Sequence, residues 1–187
     1  MDPISIYFFA LASLIGLENT AIISQKATVT INATEKSFQI VQEDLFAIMI
    51  NVEDSLLVAD EWQKITDFQK STNKTTVDSF AVDEILVSTD GKQLNATIKG
   101  RYTDEAVLAK AGIHFSDTAQ KIFYLMDFPD WNILSSDATL NDNYWNWPSD
   151  KTVTFTMEPY KEMPAEYRKY QRSILPYWKQ AQDGQSK

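Results

Sequence analysis

One hairpin constrains this chain more than any other stretch. In VDEILVSTDGKQLNATIKGRY (residues 82–102), two runs of alternating apolar and polar residues flank Asp90-Gly91. Alternation with a period of two marks a strand with one dry side. Asp-Gly between two such runs signals a type I′ turn, in which both central residues take positive φ. With that turn, Val87 faces Leu94, Ile85 faces Ala96, and Ile98 continues the same face. Glu84, Ser88, Gln93, Asn95, Thr97 and Lys99 line the opposite face, with Leu86 as the apolar exception. One dry and one wet side describe an antiparallel sheet, so the rest of the chain must cover the dry side.

Several segments are candidates for that cover and for further strands. KATVTINA (26–33) alternates, with Val29 and Ile31 on one side and Thr28, Thr30 and Asn32 on the other, and residues 35–42 either continue it or turn away. Residues 43–71 contain no Gly or Pro, and Leu45, Ile48, Met49, Val52, Leu56, Ala59 and Trp62 follow a helical course. That spacing predicts one long helix with Asp44 as N-cap, or two helices with a break near 51–55. LFAIMINV (45–52) also satisfies the pattern of a buried strand. A short helix with a Gly C-cap is expected over 103–112, a strand over 120–128 stopped by Pro129, and a polar, aromatic loop over 130–149. KTVTFTMEP (151–159) reads as a strand with Val153, Phe155 and Met157 inward, and 163–182 as a C-terminal helix interrupted at Pro176. The order implies an α+β fold: a long helix packed on a curved antiparallel sheet, with a short C-terminal helix. It resembles in layout the cystatin-like and NTF2-like folds, a likeness that implies no activity.

With 187 residues the chain suits one principal domain. We expect that domain over 26–160, preceded by a leader over 1–25 and followed by a helical tail over 161–187. ISIYFFALASLIGL (4–17) is 14 residues without a charge. It is too short to span a bilayer, which takes about 20 apolar residues, and it matches the apolar region of a secretory signal. Its flank MDP lacks the usual basic residues, so an apolar N-terminal helix packed on the body is the alternative. The first reading places the protein outside the cytoplasm, periplasmic or secreted, with a mature start near Lys26; the second leaves it cytoplasmic. Sequons at Asn32, Asn73 and Asn95 would carry glycans only in a eukaryotic secretory pathway.

Charge and composition exclude several functions. The net charge of −9 argues against nucleic-acid partners, whose phosphates need Lys and Arg. Residues 1–150 hold 10 basic and 22 acidic residues, a net of −12, while 151–187 hold 7 and 4, a net of +3. The expectation is a basic tail that docks on its own acidic body, through Arg168, Lys169 and Arg172. The absence of cysteine removes disulfides, thiol nucleophiles and Cys-based metal centres. His114, the single histidine, lies between Ile113 and Phe115 and reads as structural or half exposed. Adjacent acids such as Asp60/Glu61 do not share a helix face and read as a solvated surface. The five glycines form no phosphate loop, and SSDATLNDN (135–143) lacks the alternate-residue spacing of a calcium loop. No cofactor and no metal are expected.

What is unusual is concentrated in residues 123–150: seven aromatics (Phe123, Tyr124, Phe128, Trp131, Tyr144, Trp145, Trp147) with five Asp. In one reading these rings close the core and the acids and amides make turns. In the other, Trp131, Tyr144, Trp145 and Trp147 form a platform on which Asp142 supplies hydrogen bonds, a way to bind a sugar or a peptide. The functional expectation is an exported, non-enzymatic domain that binds a small molecule, a glycan or a protein through 130–150. The alternatives are a hydrolase using Asp127, Asp130 or Asp142 as acid or base, and a structural accessory subunit that docks through its C-terminal helix.

Overall fold

Alternation along the strands builds the core row by row. The structure, a computed structural model, describes residues 8–17, 20–71, 75–77 and 79–184; the sequon at Asn73 and the start of the apolar leader lie outside them. Its fold is α+β with two antiparallel sheets and several helices. The large sheet runs in the order β10 (Val153–Met157), β1 (Ile23–Asn32), β2 (Ser37–Ile48), β5 (Leu94–Tyr102), β4 (Phe80–Thr89), β3 (Thr75–Val77), with β11 (Gln171–Ser173) also on β2. Across it the register aligns Phe155, Val29, Ile40, Ile98 and Ile85 in one inward row. The next inward row is Val153, Ile31, Phe38, Gly100 and Val82. Gly100 is required there, because a Cβ would stand 2.5 Å from the Phe38 ring and 2.4 Å from the Ala81 carbonyl.

The N-terminal segment and two helices pack into this core beside the sheet. Residues 8–17 lie in it, with Phe8, Phe9, Leu11 and Leu14 all buried. Buried Gln42, inward on β2, donates its amide to Phe8 O (2.8 Å), which fastens the segment to the sheet. Helix α1 (Val52–Lys70) adds Val58, Trp62 and Ile65. Helix α2 (Glu105–Leu108), capped by Asp104 and continued by a 3-10 turn to Gly112 (φ +79), adds Val107 and Leu108.

The small sheet has the order β6 (Ile113–Ser116), β7 (Ile122–Met126), β9 (Tyr144–Pro148), β8 (Thr139–Asn141). It joins the same core through Phe123, Leu125 and Trp147, whose ring lies 5.7 Å from Phe155. Helices α3 (Ala165–Arg168) and α4 (Leu175–Gly184) close the chain on either side of β11. Among the described residues no helix is long and apolar enough to cross a membrane.

Four expectations are corrected. The long helix begins at Asn51, not Asp44, with a reciprocal cap in which Asn51 and Asp54 side chains accept each other's amides (3.0 and 3.1 Å). Residues up to Ile48 belong to β2, because β1 and β11 pair with them and Leu45, Phe46 and Ala47 are all buried. Asp44 itself sits in that strand at φ +56, its amide donating to Asn95 Oδ1.

The hairpin register is shifted by two. Thr89 pairs with Leu94, Val87 with Ala96 and Ile85 with Ile98, so four residues form the loop. Only Gly91 among them has positive φ (+92), and the Asp90 carboxylate accepts the amides of Lys92 and Gln93 (2.8 Å each) in place of a tight turn. A shift of two returns every side chain to the same face, so the dry face is as the pattern implies. The tail is not one helix, because β11 satisfies the edge of β2 that β5 leaves open: Met49 N donates to Tyr170 O and Ile174 N to Leu45 O. Pro176 stands in the first turn of α4, where it starts the helix rather than interrupting it. Finally, residues 130–149 are not a loop throughout; they contain β8 and β9.

Candidate functional site

Because Tyr144–Pro148 is a strand, its side chains separate onto two faces. Trp145 and Trp147 point inward, Tyr144 and Asn146 outward. Trp147 is 0% exposed and pairs with Phe123 in the register. Its indole N–H is buried with no acceptor among the described residues. Trp145 is half-buried opposite Leu125, and its N–H donates to Asp127 Oδ1 at 3.0 Å. Asp127 therefore orients an indole, and its own amide donates to Asn143 O (2.7 Å) across the sheet end.

The other members of the expected platform lie elsewhere. Trp131 ends a 3-10 turn (Pro129–Trp131), half-buried against the Phe128 ring at 4.5 Å, and its carbonyl accepts from Glu158 N (2.8 Å) beyond β10. Asp142 occupies the β8–β9 turn at φ +52, a conformation that Asp tolerates better than most residues. Of Trp131, Asp142, Tyr144, Trp145 and Trp147, only Tyr144 stands on the open face of the small sheet, 38% exposed.

That open face carries rings the sequence did not bring together. Tyr124 meets Tyr144 edge-to-face at 5.8 Å, and His114 stacks on the other side of Tyr124 at 5.2 Å and 20°. Met126 pairs with Tyr144, and Asn146 with Tyr124. Three adjacent strands thus bring His114, Tyr124 and, one register step along, Tyr144 together on this face, with exposed Met126 opposite Tyr144. The pattern was readable only after β6 and β9 were known as strands, since His114, Tyr124 and Tyr144 are remote in sequence.

Elsewhere, Glu61 departs from the expectation of a solvated acid. It is 2% exposed on α1, and its Oε2 accepts the amides of Ala21 (2.6 Å) and Ile22 (3.0 Å) just ahead of β1. Burial pushes its carboxyl up to about 7, although those two backbone donors pull the other way. Among the described residues Arg168 and Arg172 make no ion pair with the acidic body: they donate to Met163, Lys169 and Gln171 carbonyls, while Lys169 lies over the Tyr170 ring. Among the described residues, no cluster of three or more acids or histidines is placed to hold a metal ion. No protein-family model matches the chain, and the searches of curated proteins and of solved structures found no match.

Proposed function

We propose that this is an exported, non-enzymatic binding domain that meets a protein partner on the open face of the small sheet. The observation that carries the reading is the outward cluster of His114, Tyr124 and Tyr144 with Met126 beside it, side chains that the core does not need. Tyr and Met are enriched where protein surfaces meet, and the outer face of a sheet suits a protein better than a small molecule, which favours a concavity. Trp145 and Trp147 support the face from behind rather than forming it, and Trp131 lies apart from it.

Two rival readings have less support. A hydrolase using Asp127, Asp130 or Asp142 would need a free carboxyl beside a second one, and Asp127 is engaged by Trp145. An accessory subunit docking through α4 would need that helix's apolar side, yet Tyr177, Trp178 and Ala181 pack on the chain's own core. The finer fold reading, a long helix across a curved sheet in the cystatin-like or NTF2-like manner, is supported by the inward Val58, Trp62 and Ile65 of α1. A double variant, Met126→Asp with Tyr144→Asp, tests the function: it should keep its circular dichroism and lose the proteins that co-purify with the wild type. An unchanged set of co-purifying proteins would sink the reading.

A further inference from the structure

The C-terminal half of α1 and the helix α4 meet over a cleft of about 260 Å³. Trp62, Thr66, Gln69 and Lys70 come from α1, at helical spacings that place them on one side, and Trp178 and Gln182 come from α4 at the same kind of spacing. Trp62 and Thr66 are buried and form the floor; Trp178 is half-buried, and Gln69, Lys70 and Gln182 are exposed at the rim. The walls are pre-set. Thr66 donates its hydroxyl to Trp62 O (2.9 Å), and Gln69 donates its amide to Ile85 O (2.9 Å). The Trp62 N–H is buried without an acceptor among the described residues.

The chemistry of this lining is distinct from that of the body around it. In a chain of net charge −9 the described residues that line the cleft include no acid and one ammonium group, Lys70. Two indoles supply flat apolar surface, which a ring can lie against. A ligand pocket of this kind combines apolar walls with a few placed polar groups, and its small volume fits a fragment-sized molecule.

We propose that the α1–α4 cleft binds a small planar anion, an aromatic carboxylate, with its ring against Trp178 above Trp62 and its carboxylate toward Lys70. The site is separate from the face of the small sheet and does not depend on it. The test is a calorimetric titration of the full chain with benzoate, benzamide and cyclohexanecarboxylate, with tryptophan fluorescence followed in parallel. Benzoate should bind and change the fluorescence. Benzamide, or benzoate on Lys70→Gln, should bind about fivefold more weakly, the worth of one exposed charge pair. Trp178→Ala, or replacement of the ring by cyclohexane, should weaken binding about tenfold, the worth of a lost aromatic contact. Lys70 is exposed, so Lys70→Gln remains a test even if Trp178→Ala fails to fold. Tyr144→Ala should leave benzoate affinity unchanged. No heat with benzoate, equal affinity for benzamide, or equal affinity for the saturated ring would overturn the proposal.

Discussion

The outer faces of the two sheets differ in what they carry. The large sheet turns Thr28, Thr30, Gln39, Thr97, Lys99 and Glu84 outward, with Val41 and Leu86 as the apolar members. Lys99 and Glu84 pair there at 3.3 Å, half exposed, an interaction worth little to stability. The small sheet turns His114, Tyr124, Met126, Tyr144 and Asn146 outward. Both sheets are antiparallel, and both bury the other face in one core. The polar outer face is what solvent asks of such a sheet; the aromatic one is surplus to folding. The difference teaches that aromatic abundance in a segment does not mark a site. Which face the rings occupy does.

The largest effect should separate the two faces of β9. Trp147→Ala, at a fully buried ring, should cost about 3–5 kcal/mol in urea unfolding. Tyr144→Ala, three residues earlier and outward, should cost about 1 kcal/mol or less. Similar costs at both positions would erase the distinction between core and surface in this strand.

The large sheet can be probed through what covers it. Leu11→Ala in the full-length protein should cost about 2–5 kcal/mol, because Leu11 is buried with Phe8, Phe9 and Leu14. Intact mass of the protein recovered from its native compartment would show whether that segment is retained; a protein beginning near Lys26 would require another cover for the sheet.

The clamp at the entry to β1 gives a pH dependence. The folded carboxyl of Glu61 titrates near 7, above its unfolded value of 4.5, so the native state holds the proton more tightly. The contribution is therefore fully present below pH 4.5 and is lost as pH rises through about 7. The loss is about 3 kcal/mol at most. Glu61→Gln keeps an acceptor for Ala21 and Ile22 and removes the charge, so urea unfolding between pH 5 and pH 8 should become flatter for the variant. An unchanged slope would mean that another group sets it. The smallest effect belongs to the support of the open face: Trp145→Phe keeps a ring but loses the bond to Asp127, for about 1 kcal/mol by thermal unfolding.

Much of the fold was legible in the residues and much of the site was not, for the same reason. Val29, Ile31, Ile85, Ile98, Val153 and Phe155 lie inward as their alternation implies, since a period of two survives a register shift of two. At residues 43–51 the residues allowed both a helix and a buried strand, and the pairing of Phe46–Ile48 with β11, more than a hundred residues away, decides for the strand; β11 itself was not legible. The aromatic concentration at 123–150 was visible, but its division into Trp145 and Trp147 inside and Tyr144 outside needs the strand assignment of β9. Glu61 and the Trp62–Trp178 cleft left no sequence signal, because burial and convergence of two helices are properties of tertiary packing alone.

The central claim is that the open face of the small sheet, not the open face of the large one, meets a partner. A photo-reactive amino acid placed at Tyr144 and, separately, at Leu86, which is 47% exposed on the large sheet, tests it in producing cells. The account predicts discrete protein adducts from position 144 and none from position 86. Adducts from 86 alone, or equally from both, would contradict it.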